Sequence, residues 1–319
     1  MRLSLAIQVW NGAGDWAECW RSVIANLDLF ENVFVSISCS PSQENDITVV
    51  KSCDSSKIHL LTHDDCMTAV EHGRKFDEWI ASFKLTGHLF LLCHDDILLR
   101  NGLLQLIGKK LDDTDAVFGP WEFFSSDQDV RELKVKQFYR SDGMPWDKET
   151  FLFLLEQQLY ALNISGIVIP AEVYNNRYFP WHLCVYGSRS ECLHLCSPLI
   201  KQIHQLSVPA VKIRIRGNSE GALMDVASNQ FDTLLYLNLA WSVVTGSRAR
   251  GFILRGIGSL MKVNFVSGIK FMIKGQWRLW RNNYLSLGMV LKIWCCFLFL
   301  TSSKVVFRIA HVLKLSVNI

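Results

Sequence analysis

The sequence Leu89-Phe90-Leu91-Leu92-Cys93-His94-Asp95-Asp96 places a continuous apolar run directly before two carboxylates. A short run of this kind predicts a central parallel strand that is buried on both faces of a sheet. Ligands of open α/β sheets bind outside the carboxyl ends of such strands. The two acids therefore predict either a site for a hard divalent cation, Mg²⁺ or Mn²⁺, or caps for a helix that starts near Ile97.

The first hundred residues alternate between short apolar runs and amphipathic segments. Strands are predicted over 3–9, 32–37 and 58–61, and helices over 16–27 and 68–84. This alternation predicts a doubly wound α/β sheet. Further strands are predicted over 163–170 and 210–215.

The formal charge of +3 over 319 residues conceals a strong asymmetry. The 87 residues after Asp232 contain twelve Lys and Arg but neither Asp nor Glu. The preceding residues hold the other 21 basic side chains and all 30 acidic ones, a balance of −9. A basic, apolar tail after an acidic body predicts contact with an anionic surface.

Three arrangements fit this tail. Basic amphipathic helices that lie in a membrane interface suit its texture best, because Lys and Arg recur among large apolar residues. The stretch 284–303 is also long enough to span a bilayer, although Lys292 at its centre is costly there. The third arrangement is an ordinary buried helical subdomain. Nucleic-acid binding is not expected, since the charges alternate with large aliphatic residues and form no dense polar patch.

The ten cysteines contain no CxxC pair and no regular spacing. They predict a reduced chain in the cytosol rather than a disulfide framework. The sequence Cys192-x-His194-x-Cys196 does not have the spacing of a usual zinc site. No signal peptide is expected, since residues 3–9 are too short for its apolar region and are better interpreted as a strand.

In order and separation, these elements resemble the inverting nucleotide-sugar transferases of the GT-A fold, glycosyltransferase family 2. The likeness covers about residues 3–221. It rests on Trp10-Asn11 after the first strand, the helix segment 18–23, the acidic strand end 95–99, the Ser165-Gly166 strand and Glu191. The tail is similar to the basic helical appendages of bacterial envelope-polysaccharide transferases. The resemblance implies a GT-A domain over 1–225 and a helical, membrane-associating region over 226–319.

The resemblance also implies where a nucleoside diphosphate sugar would bind. In the family, the ends of the first two strands hold the donor base and ribose, which here implies Trp10 and Asn11 with Ser38 and Ser40 nearby. Asn11 is equally compatible with a plain turn. The family usually has an acid after its second strand, and this chain has Ser38-Cys39-Ser40 there.

The family's metal motif is Asp-x-Asp. Aligned on Asp95, this chain has Cys93 at the first position and His94 in the middle. The resemblance implies Asp95 as a metal ligand, with Asp96 as a second ligand, a supporting partner or a helix cap. His94 would contact the ribose, bind the ion, or be an ordinary histidine at a strand end. Cys93 is a soft ligand that suits Mg²⁺ poorly, so we expect it in the core.

Glu191 matches the family's general base, which begins a helix after the acceptor-side strands, although Cys192 replaces the usual following acid. Its alternatives are an ion pair with Arg189 or a helix-start carboxylate stabilised by the helix dipole. Arg214 and Arg216 match positions that often contact the diphosphate, and they could instead be solvated charges.

The combined interpretation is a metal-dependent, hexosyltransferase-like enzyme that is peripheral on the cytoplasmic face of the cell membrane. It would transfer a sugar with inversion to an envelope glycan, such as lipopolysaccharide, or to a lipid-linked acceptor. Two other classes remain open. One is a non-catalytic GT-A-like scaffold subunit, because both acidic motifs are degenerate. The other is a metal-dependent nucleotidyltransferase or phosphotransferase.

Overall fold

The structure is a computed structural model. It describes residues 1–125, 143–156, 164–176, 183–184, 194–215, 226–246, 250–251, 253–254, 256–257 and 265–295. The described residues form eleven strands: β1 Leu3–Val9, β2 Val33–Ile37, β3 Ile58–Thr62, β4 His88–Cys93, β5 Ile97–Leu98, β6 Asp115–Phe118, β7 Trp121–Ser125, β8 Trp146–Asp147, β9 Val168–Pro170, β10 Gln202–Gln205 and β11 Val211–Ile215.

Eight of these strands form a central sheet in the order β3-β2-β1-β4-β9-β6-β10-β8. Strands β1 to β4 are mutually parallel, and β6 runs parallel to β10. Strand β9 is antiparallel to both of its neighbours, β4 and β6, and β8 is antiparallel at the edge. The predicted class, an α/β fold with a mostly parallel central sheet, is therefore confirmed.

Helices cover both faces of this sheet. They are α1 Ala13–Ile24, α2 Gln43–Lys51, α3 Ala69–Ser82, α4 Arg100–Gly108, α5 Lys148–Glu156, α6 Ala171–Asn175, α7 Val226–Val243 and α8 Phe265–Arg281, with a short 3-10 helix at Leu27–Leu29. Helices α1, α2 and α4 contribute to the hydrophobic cluster on one face. Helices α3 and α5 to α8 contribute to the cluster on the other.

Strand β4 lies at the centre of the sheet, and its side chains feed both clusters. Phe90 and Leu92 belong to the α1 side, whereas Leu89 and Leu91 belong to the α3 side. Because successive strand residues point to opposite faces, a strand covered on both faces needs apolar residues at every position. This explains why the segment is continuously apolar.

The C-terminal helices pack into the same core as the sheet. Buried residues of α7 and α8, such as Leu235 and Met272, lie in the cluster that contains Leu89 of β4. The Glu149 carboxylate of α5 accepts hydrogen bonds from the backbone N–H groups of Thr245 and Gly246, just after α7. No helix within the described ranges is long and apolar enough to cross a membrane. A domain boundary at 225/226 stays a prediction.

Two local expectations were wrong. The helix expected near Ile97 does not start there, because Ile97–Leu98 form β5 and α4 begins at Arg100. The N-cap of α4 is Leu99, so the Asp95-Asp96 pair does not cap that helix. The strand expected over 163–170 is limited to β9, Val168–Pro170. Strand β5 pairs antiparallel with β11, and β11 pairs parallel with β7. These three strands form a small second sheet.

Candidate active site

Most of the residues that the sequence singled out lie at one edge of the central sheet. Because β1, β2 and β4 are parallel and in register, their carboxyl ends meet at that edge. The residues that follow them there are Trp10 and Asn11 after β1, Ser38 and Ser40 after β2, and His94, Asp95 and Asp96 after β4.

Asp96 is buried and held by donors from two distant segments. Ser165 Oγ donates to Asp96 Oδ2, and the backbone N–H of Arg214 donates to Asp96 Oδ1 at 2.8 Å. Ser165 Oγ itself accepts from the backbone N–H of Cys93 at 2.8 Å. These bonds fix the turn that carries Asp95, which is half-buried at the same edge.

The pKa of Asp96 is raised to about 7, chiefly because burial disfavours its charged form and secondly because of the negative charge of Asp95. Hydrogen bonds from Ser165 and Arg214 oppose this shift without reversing it. A bound divalent cation would favour the ionised carboxylates at such a site. Ligand atoms of Cys93, Asp95 and Asp96 lie within 4.8 Å of one another. The two carboxylates therefore fit Mg²⁺ or Mn²⁺.

Cys93 does not pack fully into the core as expected. It ends β4 half-buried, with its Sγ next to the two carboxylates. Burial, followed by the negative charges of Asp96 and Asp95, raises the pKa of its thiol well above the ordinary value. The thiol is therefore protonated at neutral pH, and the oxygen ligands remain the better donors for a hard cation.

Arg214 joins this site from β11 with a side chain that is 4% exposed. Its guanidinium pairs with Glu18 Oε2 and lies 3.3 Å from Asp15 Oδ1. Its Nε donates to the backbone oxygen of Asp95 at 3.1 Å. The alternative of a solvated charge was therefore wrong for Arg214, because burial leaves little of it in water. Its contact with a diphosphate stays a prediction.

The ends of β1 and β2 offer an aromatic ring and two hydroxyl groups. Trp10 is 46% exposed, and Asn11 adopts a left-handed φ of 50°, which Asn tolerates better than most residues. The Oγ atoms of Ser38 and Ser40 are buried and have no hydrogen-bond partner among the described residues. A buried hydroxyl without a partner costs about 1–3 kcal/mol. A polar ligand at this edge would satisfy both groups.

A histidine cluster lies at the same end of β2. Ser36 Oγ is 3.1 Å from His63 Nε2 and 2.8 Å from His72 Nε2. The pKa of His72 is lowered to about 4, mainly by burial and then by the positive charges of His63 and His94. His94 is half-buried and lies close enough to His72 to lower the pKa of the His72 imidazole. His94 therefore stays a candidate ribose or ion contact.

We expect His72 to make folding stability depend on pH. Its folded pKa lies below the unfolded value of about 6.5, so the unfolded chain binds the extra proton first. His72 therefore contributes about 3 kcal/mol to the free energy of unfolding above pH 6.5, and this contribution is lost as the pH falls through 4. The free energy of unfolding is measured by urea titration between pH 7 and pH 4 in the presence of a metal chelator. It should depend less steeply on pH for His72→Gln than for the wild type. Equal pH dependences would contradict this assignment.

Glu191 and Arg216 lie outside the described residues, as do Arg189 and Cys192. Their predicted roles stay predictions. The described chain resumes at His194, which is buried with its Nε2 3.5 Å from the Tyr174 hydroxyl.

No protein-family model matches the sequence, and no curated protein matches it. Solved structures do resemble the fold. S. aureus TarS 1-349 in complex with UDP-GlcNAc superposes with a TM-score of 0.56 at 11% identity, over 82% of this chain and 73% of that one. The same protein with UDP gives 0.56 at 10% identity, over 92% and 81%. These neighbours are GT-A glycosyltransferases. This chain has the GT-A fold.

The site at the carboxyl ends of β1, β2 and β4 also contains residues that the sequence did not predict as part of it. Asp15 and Glu18 of α1 bind the Arg214 guanidinium, and Ser165 positions Asp96. Glu18 and Arg214 are 196 positions apart, so no local pattern could have paired them. The sequence indicates Ser165-Gly166 only as part of a strand that carries the family resemblance.

Proposed function

We propose that this protein is a metal-dependent, inverting glycosyltransferase of the family 2 type that uses a nucleoside diphosphate sugar. The observation that carries the proposal is the Asp95-Asp96 turn at the carboxyl end of the central strand of a GT-A fold. Ser38 and Ser40 support it, because their buried hydroxyls have no partner within the described part of the chain and lie where the donor base and ribose would bind.

Each residue of the edge then has a role in binding or catalysis. Asp95 would hold the divalent cation together with Asp96, whose orientation Ser165 maintains. The cation, when bound, supplies positive charge for the departing nucleoside diphosphate. Trp10 and Asn11 would contact the base and ribose with Ser38 and Ser40. On the resemblance, His94 would contact the ribose, and Arg214 and Arg216 would contact the diphosphate.

Charge at the edge supports a cation there. Four acids lie near Arg214. Asp15 and Glu18 pair with its guanidinium, the backbone oxygen of Asp95 accepts from its Nε, and its positive charge acts on Asp96. When all four are ionised they exceed the single charge of that guanidinium. A divalent cation would offset the excess and lower the pKa of Asp96.

Inversion requires a base that removes the proton of the acceptor hydroxyl while that oxygen attacks the sugar carbon from the face opposite the diphosphate. We assign this base to Glu191. The proposed acceptor is an envelope glycan, such as lipopolysaccharide, or its lipid carrier. This choice rests on the family resemblance and on the basic, apolar C-terminal helices.

A donor screen tests the proposal. The full chain is incubated with UDP-, GDP- and dTDP-sugars, with and without Mn²⁺ or Mg²⁺, and the released nucleotide is measured. We expect metal-dependent release of a nucleoside diphosphate from one donor class. Release of pyrophosphate would favour a nucleotidyltransferase, whereas neither turnover nor thermal stabilisation by any donor would favour a scaffold. Product anomeric configuration, measured by NMR, tests inversion.

The proposed location, peripheral on the cytoplasmic face of the membrane, rests on one face of α8, here called the Trp277 face. The opposite face of the helix packs inward through Met272 and Leu279. The Trp277 face is exposed and combines large apolar with basic side chains. It consists of Lys270, Ile273, Lys274, Trp277, Trp280 and Arg281.

This combination suits a bilayer that contains anionic lipids. Indole rings settle at the headgroup level, and nearby Lys and Arg are attracted by the negative leaflet. Leu287 and Leu291 of the helical residues 287–295 are also exposed. The cytoplasmic leaflet is the anionic one, which gives the proposed side.

We expect Trp277→Glu to reduce partitioning onto vesicles that contain phosphatidylglycerol by about tenfold or more, because it places an anion in the apolar interface. Vesicle co-sedimentation measures this, and added salt should weaken wild-type binding. Leu104→Glu is the matched control, since Leu104 is an exposed apolar residue on α4, far along the chain from α8. Equal binding by Trp277→Glu and wild type would rule out the Trp277 face as the docking surface.

A further inference from the structure

Two thiols meet at the carboxyl ends of β2 and β3. Cys39 follows β2 and Cys66 precedes α3, and their Sγ atoms are 3.2 Å apart. Both are free cysteines; Cys66 is exposed and Cys39 is half-buried. A disulfide has an S–S length of about 2 Å, so the two sulfurs need to approach by little more than an ångström.

The two loops that carry these thiols are already tied to each other. The backbone N–H of His63 donates to Ile37 O at 3.0 Å, and Gln43 Nε2 donates to His63 O at 2.7 Å. Thr68, two residues after Cys66, forms a capping box with Glu71 at the start of α3. The sulfurs are therefore brought together by anchored backbone rather than by chance contact of two mobile chains.

We propose that Cys39 and Cys66 form a reversible dithiol–disulfide site. The exposed thiol of Cys66, as its thiolate, attacks one sulfur of a low-molecular-weight disulfide and releases the first small thiol. Cys39 then attacks the mixed disulfide at Cys66, forms the intramolecular S–S bond and releases the second small thiol. The two cysteines lose two protons and two electrons, and the electrons reduce the small disulfide to two thiols.

The chemistry of the pair agrees with this order of attack. The hydrogen bond with Cys66 is the main cause of the raised pKa of Cys39, with further contributions from burial and from the negative charges near it. Cys39 therefore stays protonated to a higher pH than an ordinary cysteine, and its thiol can donate a hydrogen bond to the sulfur of Cys66. The exposed partner reacts first, and the half-buried partner closes the ring.

The test treats the full chain with oxidised glutathione, blocks the remaining thiols with an alkylating agent and maps the peptides by mass spectrometry. We expect one linked 39–66 peptide and the loss of two alkylatable thiols, both reversed by dithiothreitol. Closing the intervening loop should also raise Tm by about 5 °C. A glutathione adduct that persists on Cys66, or linkage of Cys66 to another cysteine, would overturn the proposal.

Single variants sharpen the result. Cys39→Ser and Cys66→Ser should abolish the linked peptide, whereas Cys53→Ser and Cys295→Ser should leave it unchanged. Because the mapping is done first on the wild type, a variant that fails to fold does not decide the outcome. A linked 39–66 peptide that forms only in denaturant would also count against the proposal.

A consequence for the donor rests on the proposed function. Cys39 lies between Ser38 and Ser40, and closing the bridge from 3.2 Å would displace the loop that would contact the base. We expect this displacement to raise the donor KM about threefold. An unchanged KM in fully bridged protein would remove this consequence. An absence of turnover in both redox states would count against the proposed function, and the mapped disulfide would still stand.

Discussion

Asp95→Asn is expected to lower kcat/KM for the nucleotide-sugar donor by about 10³-fold. The substitution keeps the shape of the side chain but removes the charge that would bind the cation at the end of β4. The neighbouring Asp96 is held by Ser165 and by the backbone of Arg214, so the turn should keep its conformation. The measurements are donor turnover across a Mn²⁺ titration and Tm without metal.

The matched control is Asp113→Asn. Asp113 is exposed and lies just before β6. Strands β4 and β6 are both antiparallel to β9 and therefore parallel to each other. The start of β6 is thus at the opposite edge of the sheet from the end of β4, where Asp95 lies. It should retain wild-type turnover and metal dependence. Wild-type turnover by Asp95→Asn would end the assignment of Asp95 as the metal ligand. A loss of turnover accompanied by unfolding would be resolved by Asp95→Glu, which keeps the charge.

Glu191→Gln is expected to lower kcat by about 10²–10⁴-fold while donor binding changes little. A glutamine cannot take the proton of the acceptor hydroxyl, but it leaves the proposed donor groups at β1, β2 and β4 intact. Donor affinity is measured by thermal stabilisation, and kcat is measured with saturating acceptor. The acidic limb of the pH–rate profile, which reports the base, should disappear in the variant.

Glu172→Gln serves as the control for Glu191→Gln. Glu172 is exposed on α6 and accepts hydrogen bonds only from nearby residues such as Asn175 and Asn176 in the contacts described. Its kcat should equal that of the wild type. A Glu191→Gln variant with unchanged kcat and an unchanged pH profile would transfer the role of base to another residue.

The sheet could be predicted largely from local sequence. Strand β4 and the strands before it have side-chain patterns that follow directly from burial, and the alternation with helices implies parallel connections. Strand β5 could not be predicted in this way. Its partner β11 lies more than a hundred residues later, and Ile97-Leu98 alone does not distinguish that pairing from the first turn of a helix.

The candidate site could be predicted in part. The position of Asp95 and Asp96 at the sheet edge follows from their place after an apolar run. The environment of Asp96 does not, because Ser165 and Arg214 reach it from 69 and 118 positions away. The sequence alone leaves Arg214 compatible with a solvated charge, and only the tertiary structure places acids from α1 beside it. Such charge pairing depends on chain topology, which a linear pattern does not record.

Helices α7 and α8 contribute buried residues to the same hydrophobic cluster as the central sheet, and Glu149 accepts a hydrogen bond from the backbone just after α7. The Trp277 face therefore has one orientation relative to Asp95. If that face docks on a bilayer as proposed, it sets the height and tilt of the catalytic edge above the headgroups. The protein would then act as a molecular ruler, and an acceptor's distance from its lipid anchor would limit which hydroxyl groups receive a sugar.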